Sequence, residues 1–546
     1  MPWGRFAIGL TLLTSAACKG VDSPISTAAV ATVTVSPNAV SLPAGATVQL
    51  SVAPEDEHGN LLTGRGPTWS SSDTTVAGVS SGLVIGFSAG LATISATAEG
   101  RTGTALITVT TVPVAAVTVA PAMATIVKDG VMRLQITLAD ADGKPVKGGR
   151  FTVSSSDPAV ATVSAFGVVT GVGTGTATIT ARAGDQSATA RIAVVLAEYA
   201  GLSTGRSHAC GVTTEGAALC WGDNSSGVFG DGSRTSSAVP MAVLSGSPFA
   251  SVSAGGRHSC GVTTSGAALC WGEAWLSRGW GSGGPRTGLG NGTTTGSLLP
   301  VPVSGGLRFS TVSAGGQHSC GVTTGGAAYC WGPNTGGELG DGTTTSRSTP
   351  VAVLGGLTFS TVSAGEQATC GLANDGTAYC WGRNSTGALG DGTTTNSPSP
   401  VAVRGGLTFA TLSMGAGHTC GVTPSGAAYC WGSNGQGQLG DGTTTSSSAP
   451  VAVLGGLTFS TVSAGSGRTC GVTTRDAAYC WGSNPNGQLG NGTTTGSSLP
   501  VAVSGGLSFS TVGAGDQQTC GVTTRGTAYC WGNGSGAVPV KVAGQP

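Results

Sequence analysis

The sequence predicts an all-β protein, a ring of seven small sheets preceded by two β-sandwiches, and three observations carry that expectation. Between residues 210 and 530, a cysteine, nine residues, a second cysteine and Trp-Gly recur seven times, at steps of 50 residues with a single step of 60. A period in that range marks stacked or radial repeats, none of which buries a core alone. Upstream, two segments, 31–110 and 115–195, repeat one another, with alternating apolar strands between turn-rich breaks. The composition agrees: 96 glycines in 546 residues, only 9% charged residues, and no stretch that reads as a helix of ordinary length.

Taken in order, the chain opens with an export segment, residues 1–18. Arg5 precedes an apolar run from Phe6 to Leu13 and then Thr14-Ser15-Ala16-Ala17-Cys18, too short to span a bilayer. The small residues before Cys18 resemble a bacterial lipoprotein signal, which implies lipidation of Cys18 and attachment to a membrane; Ser15 departs from the leucine preferred three positions before the cysteine. Ordinary cleavage after Ala17 is the competing reading and gives a secreted chain that starts with a free thiol. Residues 19–30 read as a tether.

The two upstream segments are copies. Ser71, Ser72, Asp73, Val76, Ala77 and Val79 recur as Ser155, Ser156, Asp157, Val160, Ala161 and Val163, and Ala92-Thr93-Ile94 recurs as Ala177-Thr178-Ile179. Short strands in a unit of about 80 residues argue a β-sandwich. Val33-Thr34-Val35-Ser36-Pro37, the Ser-Ser-Asp segment and the late Gly-x-Ala-Thr-Ile strand resemble the bacterial Ig-like group 2 domain, and that resemblance implies a surface-protein spacer or adhesion module. Trp69, where the second copy has Val153, is expected in the core.

In the repeats, Thr213-Thr214-Glu215-Gly216-Ala217 reads as a hairpin tip, with Gly216 in the left-handed region that closes a three-residue loop. Asp476 holds this position in the sixth unit, where a strained turn is expected. Pairing Thr213 with Ala217 runs the register out through Val212/Ala218 and Gly211/Leu219 to Cys210/Cys220. The cysteines then face each other as a non-hydrogen-bonded pair, Cα atoms about 4.5 Å apart, within disulfide range. The same reasoning pairs Cys260 with Cys270, Cys320 with Cys330, Cys370 with Cys380, Cys420 with Cys430, Cys470 with Cys480 and Cys520 with Cys530. Zinc ligation would need close cysteine pairs or matched histidines, neither of which occurs. Bridges in this number imply an oxidising compartment. Ala218 and Cys220 point to one face and Leu219 and Trp221 to the other, so each sheet needs a neighbour on both sides, as in a ring.

Each unit continues through a Gly-rich loop, a Pro-Val strand and a strand that begins at Phe. Gly315, His318, Gly326, Tyr329, Trp331, Gly332, Asn334, Gly337, Leu339, Gly340 and Gly342 resemble the repeat of the regulator of chromosome condensation family, over residues 197–546 and in all seven units. That resemblance implies a seven-bladed β-propeller; the cysteine pair departs from the family pattern and suits an exported version. The first hairpin lacks a preceding Pro-Val strand and the last is followed by Val538 to Val542, so the C-terminal strand is expected to join the first blade and close the ring.

The chemistry that remains is sparse. Basic and acidic residues number 24 each, and 13 each within 197–546, which leaves no basic patch for nucleic acid. His208, His258, His318 and His418 occupy one repeat position, filled elsewhere by Ala368, Arg468 and Gln518, so no ring of metal ligands is encoded and a structural or surface-loop role is expected. Asp231, Asp341, Asp391 and Asp441, with Asn291 and Asn491, read as turn residues and not calcium ligands. No catalytic residue, cofactor site or metal site is expected. Function more often lies where one repeat departs from its siblings, and the second unit carries an insertion with Trp275, Arg278, Trp280 and Arg286, residue types used by interface hot spots. Its tryptophans equally suit a local cap on the propeller. The leading expectation is a monomeric, non-catalytic cell-envelope binding or adhesion protein: lipid anchor, Ig-like stalk and propeller head for an extracellular protein or polysaccharide. The family resemblance also implies nucleotide exchange on a small GTPase, which an exported chain would not meet and for which Glu366 and Asp516 stand isolated. A secreted inhibitor or a propeller enzyme is the third class.

Overall fold

The computed structural model describes residues 28–146, 149–196, 198–273 and 288–545, and all of its secondary structure is β. Cys18 and the insertion residues Trp275, Arg278, Trp280 and Arg286 lie outside the described residues. The chain forms two compact units, Met1–Ala116 with Leu138–Arg150, and Val117–Thr137 with Phe151–Pro546.

In the first unit, alternation of apolar and hydroxyl residues builds a sandwich. One sheet orders its strands Ala39–Pro43, Arg101–Thr110, Gly90–Ala98 and Thr68–Ser71, and a second orders Thr47–Gln49, Leu83–Gly86 and Ala77–Ser80. Every second residue of Gly90–Ala98 is buried, placing Ala92, Ile94 and Ala96 in a core with Leu42, Leu50, Val84 and Ile107. Trp69 packs against that core, as its position in the copy predicts.

The second sandwich repeats the four-stranded order with Met123–Val127, Gln186–Val195, Gly175–Ala183 and Thr152–Ser155. Its other sheet does not end at its edge. Ala161–Val163, Val168–Gly171 and Val131–Arg133 continue into the sheet of the first propeller blade, where Val131 lies opposite Met241 in a parallel bridge. The near absence of linker between Val195 and Glu198 thus goes with a continuous sheet and a shared apolar core.

Seven four-stranded antiparallel blades follow, blades 1 to 7, with first strands opening at residues 199, 249, 309, 359, 411, 459 and 509. In blade 1, Tyr199–Thr204, His208–Thr213, Ala218–Gly222 and Ser237–Ala242 run from axis to rim. The hairpin register is the expected one, with Cys210 opposite Cys220 and Val212 opposite Ala218. All seven cysteine pairs are bridged, with Cα atoms 4.0 to 4.1 Å apart. Asp476 sits at φ 62°, in the region the glycines fill elsewhere, and the turn is kept: Phe509 N donates to its carbonyl at 2.7 Å.

Between neighbours, both cysteines of one blade pack against the Phe and Trp of the next. One such layer joins Cys320, Val322 and Cys330 to Phe359 and Trp381, with Leu339 from the loop of the earlier blade inserted among them. The expected strand exchange at closure does not occur. The C-terminal strand Gly536–Lys541 is the outer strand of blade 7, with Cys530 opposite Val540, because the short turn from Gly532 to Gly536 folds it straight back onto its predecessor. The ring closes by blade 7 packing against blade 1, where Tyr199 N donates to Gly526 O at 2.8 Å.

Candidate recognition surface

The third strand of each blade ends in Trp-Gly and releases the Gly-rich loop, and one asparagine shapes that loop. Asn334 Oδ1 accepts from Leu339 N at 2.9 Å, while its Nδ2 donates to Thr343 O and Thr345 O at 3.0 and 3.2 Å. Asn224, Asn384, Asn434 and Asn484 hold Phe229, Leu389, Leu439 and Leu489 in the same way. Asp341 accepts from Thr343 N and Oγ1, and Asn291 and Asn491 accept from Thr293 and Thr493, so the acidic slot is a turn device. The loop is then tied to the next blade: Glu338 O accepts both Trp381 Nε1 and Thr369 Oγ1 at 2.9 Å. Loops fastened at both ends present a fixed face, which lowers the ordering cost of binding.

The histidines belong to the same fastening. His208, His258, His318 and His418 are buried and reach across to the hydroxyl before the first cysteine of the following blade, at 2.7 to 2.9 Å. Thr469 Oγ1 spends its proton on Gln438 O, so His418 donates through Nε2–H and its Nδ1 is left without a partner. Burial holds the His208 and His318 imidazoles down at about 3 and those of His258 and His418 at about 4, so all four are neutral near pH 7. Arg468, in the histidine position of blade 6, donates to Gly515 O, Asp516 O, Gln518 O and Thr519 Oγ1 of blade 7. These side chains are structural and do not line a surface loop.

At the centre of this face, the turn after each inner strand contributes to an axial cavity of about 120 Å³. Its lining includes Arg206, Arg257, Glu366 and Asp516. Burial and the nearby Glu366 push the Asp516 carboxyl up, against the pull of Arg206 and Arg468. Arg257 links the mouth to the insertion: it pairs with Glu273 at 3.2 Å, and Arg234 of blade 1 reaches the same carboxylate at 3.5 Å. The described chain breaks off after Glu273, the carboxylate that both arginines flank, and resumes at Gly288. Among the described residues, no three histidine, cysteine, aspartate or glutamate side chains come together as a metal site.

Sequence reasoning placed Glu366 and Asp516 apart, in separate turns, and the axis brings both to one mouth. It missed the asparagine anchor, although the recurrence of Asn at a fixed distance before Leu-Gly was a readable signal. It also missed the seat of the second sandwich on blade 1, for which a solitary Met241 in a Pro-Val strand is the faint trace.

Comparison with known proteins agrees with this architecture. Residues 29–109 and 113–194 match the bacterial Ig-like domain (group 2). Residues 215–262, 325–372, 375–422, 425–472 and 476–522 match the regulator of chromosome condensation (RCC1) repeat, and a second description of that repeat matches the overlapping stretches 200–228, 309–338, 359–388, 409–438 and 459–488. Yeast RCC1 (Prp20), solved bound to Kap60, is similar in structure with a TM-score of 0.53 at 18% identity, over 61% of this chain and 84% of that one. Human WBSCR16 also gives 0.53 at 18% identity, over 63% and 92%. Ice-binding protein 1 of Shewanella frigidimarina is 38% identical over 115 residues, 21% of this chain and only 13% of that protein's length.

Proposed function

From a chain that belongs to the regulator of chromosome condensation repeat family and carries two bacterial Ig-like domains, we propose a non-catalytic recognition protein of the bacterial cell envelope. The propeller is its head, the sandwiches are its stalk, and Cys18, once lipidated, is its anchor. Seven buried disulfides are consistent with an extracellular setting. The observation that carries the reading is the loop face: loops fastened to the next blade surround a charged axial mouth, and the departing repeat emerges beside it at Glu273. Fixed polar loops with an inserted Trp and Arg segment suit recognition of an extracellular protein or polysaccharide.

The test is binding of the full mature chain to glycan and protein arrays, repeated with Trp275→Ala and Trp280→Ala together. Binding that is lost while the melting temperature holds supports the insertion as the recognition loop; unchanged binding removes it.

A second reading, ice binding through the first sandwich, has one observation in its favour beyond the partial likeness to Ice-binding protein 1. Thr68, Thr97 and Thr102 form one row across three strands of the outer sheet face, and Ser70, Ser95 and Thr104 form the next. Inhibition of ice recrystallisation by the full chain would support this reading, and its absence would remove it.

A further inference from the structure

Six joints between blades share a set of parts, and the seventh, between blades 7 and 1, lacks most of it. In all six, a serine of one inner strand accepts an amide of the next: Ala254 N from blade 2 donates to Ser203 Oγ at 3.0 Å, and Ala514 N donates to Ser463 Oγ at 3.0 Å. The residue due to serve the closing joint is Gly513. The hydroxyl before the first cysteine, Ser or Thr in blades 2 to 7, is Ala209 in blade 1. The loop that supplies a carbonyl to the next tryptophan is replaced in blade 7 by the tight turn from Gly532 to Gly536. Trp221 Nε1 is left without an acceptor at this joint, as Trp331 Nε1 and Trp531 Nε1 are at two others, and Gln518 Nε2 is left without one here as well. What remains polar is Tyr199 N to Gly526 O, Asp516 N to Gly205 O at 3.3 Å, and the Arg206 to Asp516 pair at 3.9 Å.

One turn of the second sandwich, Val127 to Val131, meets both sides of this weak joint. On blade 1, Val131 lies opposite Met241 and Gly130 faces the Pro240 carbonyl. On the blade 7 side, Gly544 packs so closely on Lys128 O that any Cβ there would overlap it. The turn is itself held: Lys128 N donates to Val195 O at 2.8 Å and Asp129 N to Gly171 O at 2.9 Å. A single apolar core runs from Ile126, Val127 and Met132 to Tyr199, Leu219 and Trp221 of blade 1 and Cys520, Cys530 and Val542 of blade 7.

We propose that the second sandwich is the clasp of the ring: its Val127 to Val131 turn bridges blades 1 and 7 and supplies the cohesion that the closing joint lacks. The stalk therefore sets whether the head is shut, and the joint is where the ring opens when the clasp is released. Such local opening is read by amide exchange, because each strand reports the free energy of its own exposure.

The experiment uses the full mature chain carrying Gly544→Leu, which wedges the clasp, beside Gly534→Leu as control. Gly534 has a like φ, 81° against 80°, but nothing within 4 Å of its would-be Cβ. Exchange in Tyr199–Thr204 and Phe509–Ala514 is expected to rise about tenfold or more in Gly544→Leu, with Phe359–Ala364 of blade 4 unchanged and all three unchanged in the control. If the leucine variant fails to fold, Gly544→Ala meets the same carbonyl with a smaller wedge and the same pattern is expected. Closing strands that exchange no faster than in the parent, or blades that all accelerate together, would overturn the proposal.

Discussion

His418 shows how a residue that looks chemical is structural. Its imidazole is buried, donates to Thr469 Oγ1 and has no charged partner within its joint, so protonation would place an unpaired cation in the core. The sign of the pH dependence follows. The unfolded chain takes up protons as pH falls through about 6.5, while the folded imidazoles, held near 3 or 4, do not. Stability from this source is complete above pH 6.5 and is lost progressively toward pH 3 to 4, by an amount on the order of 3 to 5 kcal/mol per histidine at most. Denaturant midpoints between pH 7.5 and 4.5 should fall less steeply in His418→Gln than in the parent, glutamine being the residue of blade 7 at this position. Parallel curves for the two proteins would contradict the assignment.

Within the hairpins, backbone conformation decides. Six of the seven tips carry glycine at positive φ, and the Asp476 tip adopts the same conformation at 62°. The hydrogen bond from Phe509 N to Asp476 O leaves that conformation no freedom to relax. Asp476→Gly should raise stability by up to about 1 kcal/mol, since it removes αL strain and offsets part of that gain with added freedom in the unfolded chain. Chemical denaturation measures it; a lower midpoint in the variant would show that aspartate contributes something beyond its backbone. The hairpin register, the tip glycines and the Cys-to-Cys pairing were legible because strand alternation and left-handed turns are local rules. The seat of the loops was not, since Glu338 O finds Trp381 only after two blades are laid side by side.

At the scale of the molecule, all fourteen propeller cysteines lie in layers between blades, and Cys530 is the most exposed of them at 5%. Thiol reductants should therefore leave the folded protein oxidised and open the bridges only with denaturant; mass analysis after alkylation with and without urea distinguishes the cases, and rapid labelling of the native protein would refute the layered packing. By itself, the sequence determined the all-β class, the two copied sandwiches, the seven hairpins with their pairing and the polarity of each face, because these follow from periods of 2 and of about 50 residues. Only the tertiary structure decided how the circle shuts, which charges meet at the axis and where the stalk is seated. Proximity of Arg206 to Asp516, or of Lys128 to Gly544, depends on the curvature of the whole ring, and no spacing along the chain encodes a distance that seven blades must first add up to produce.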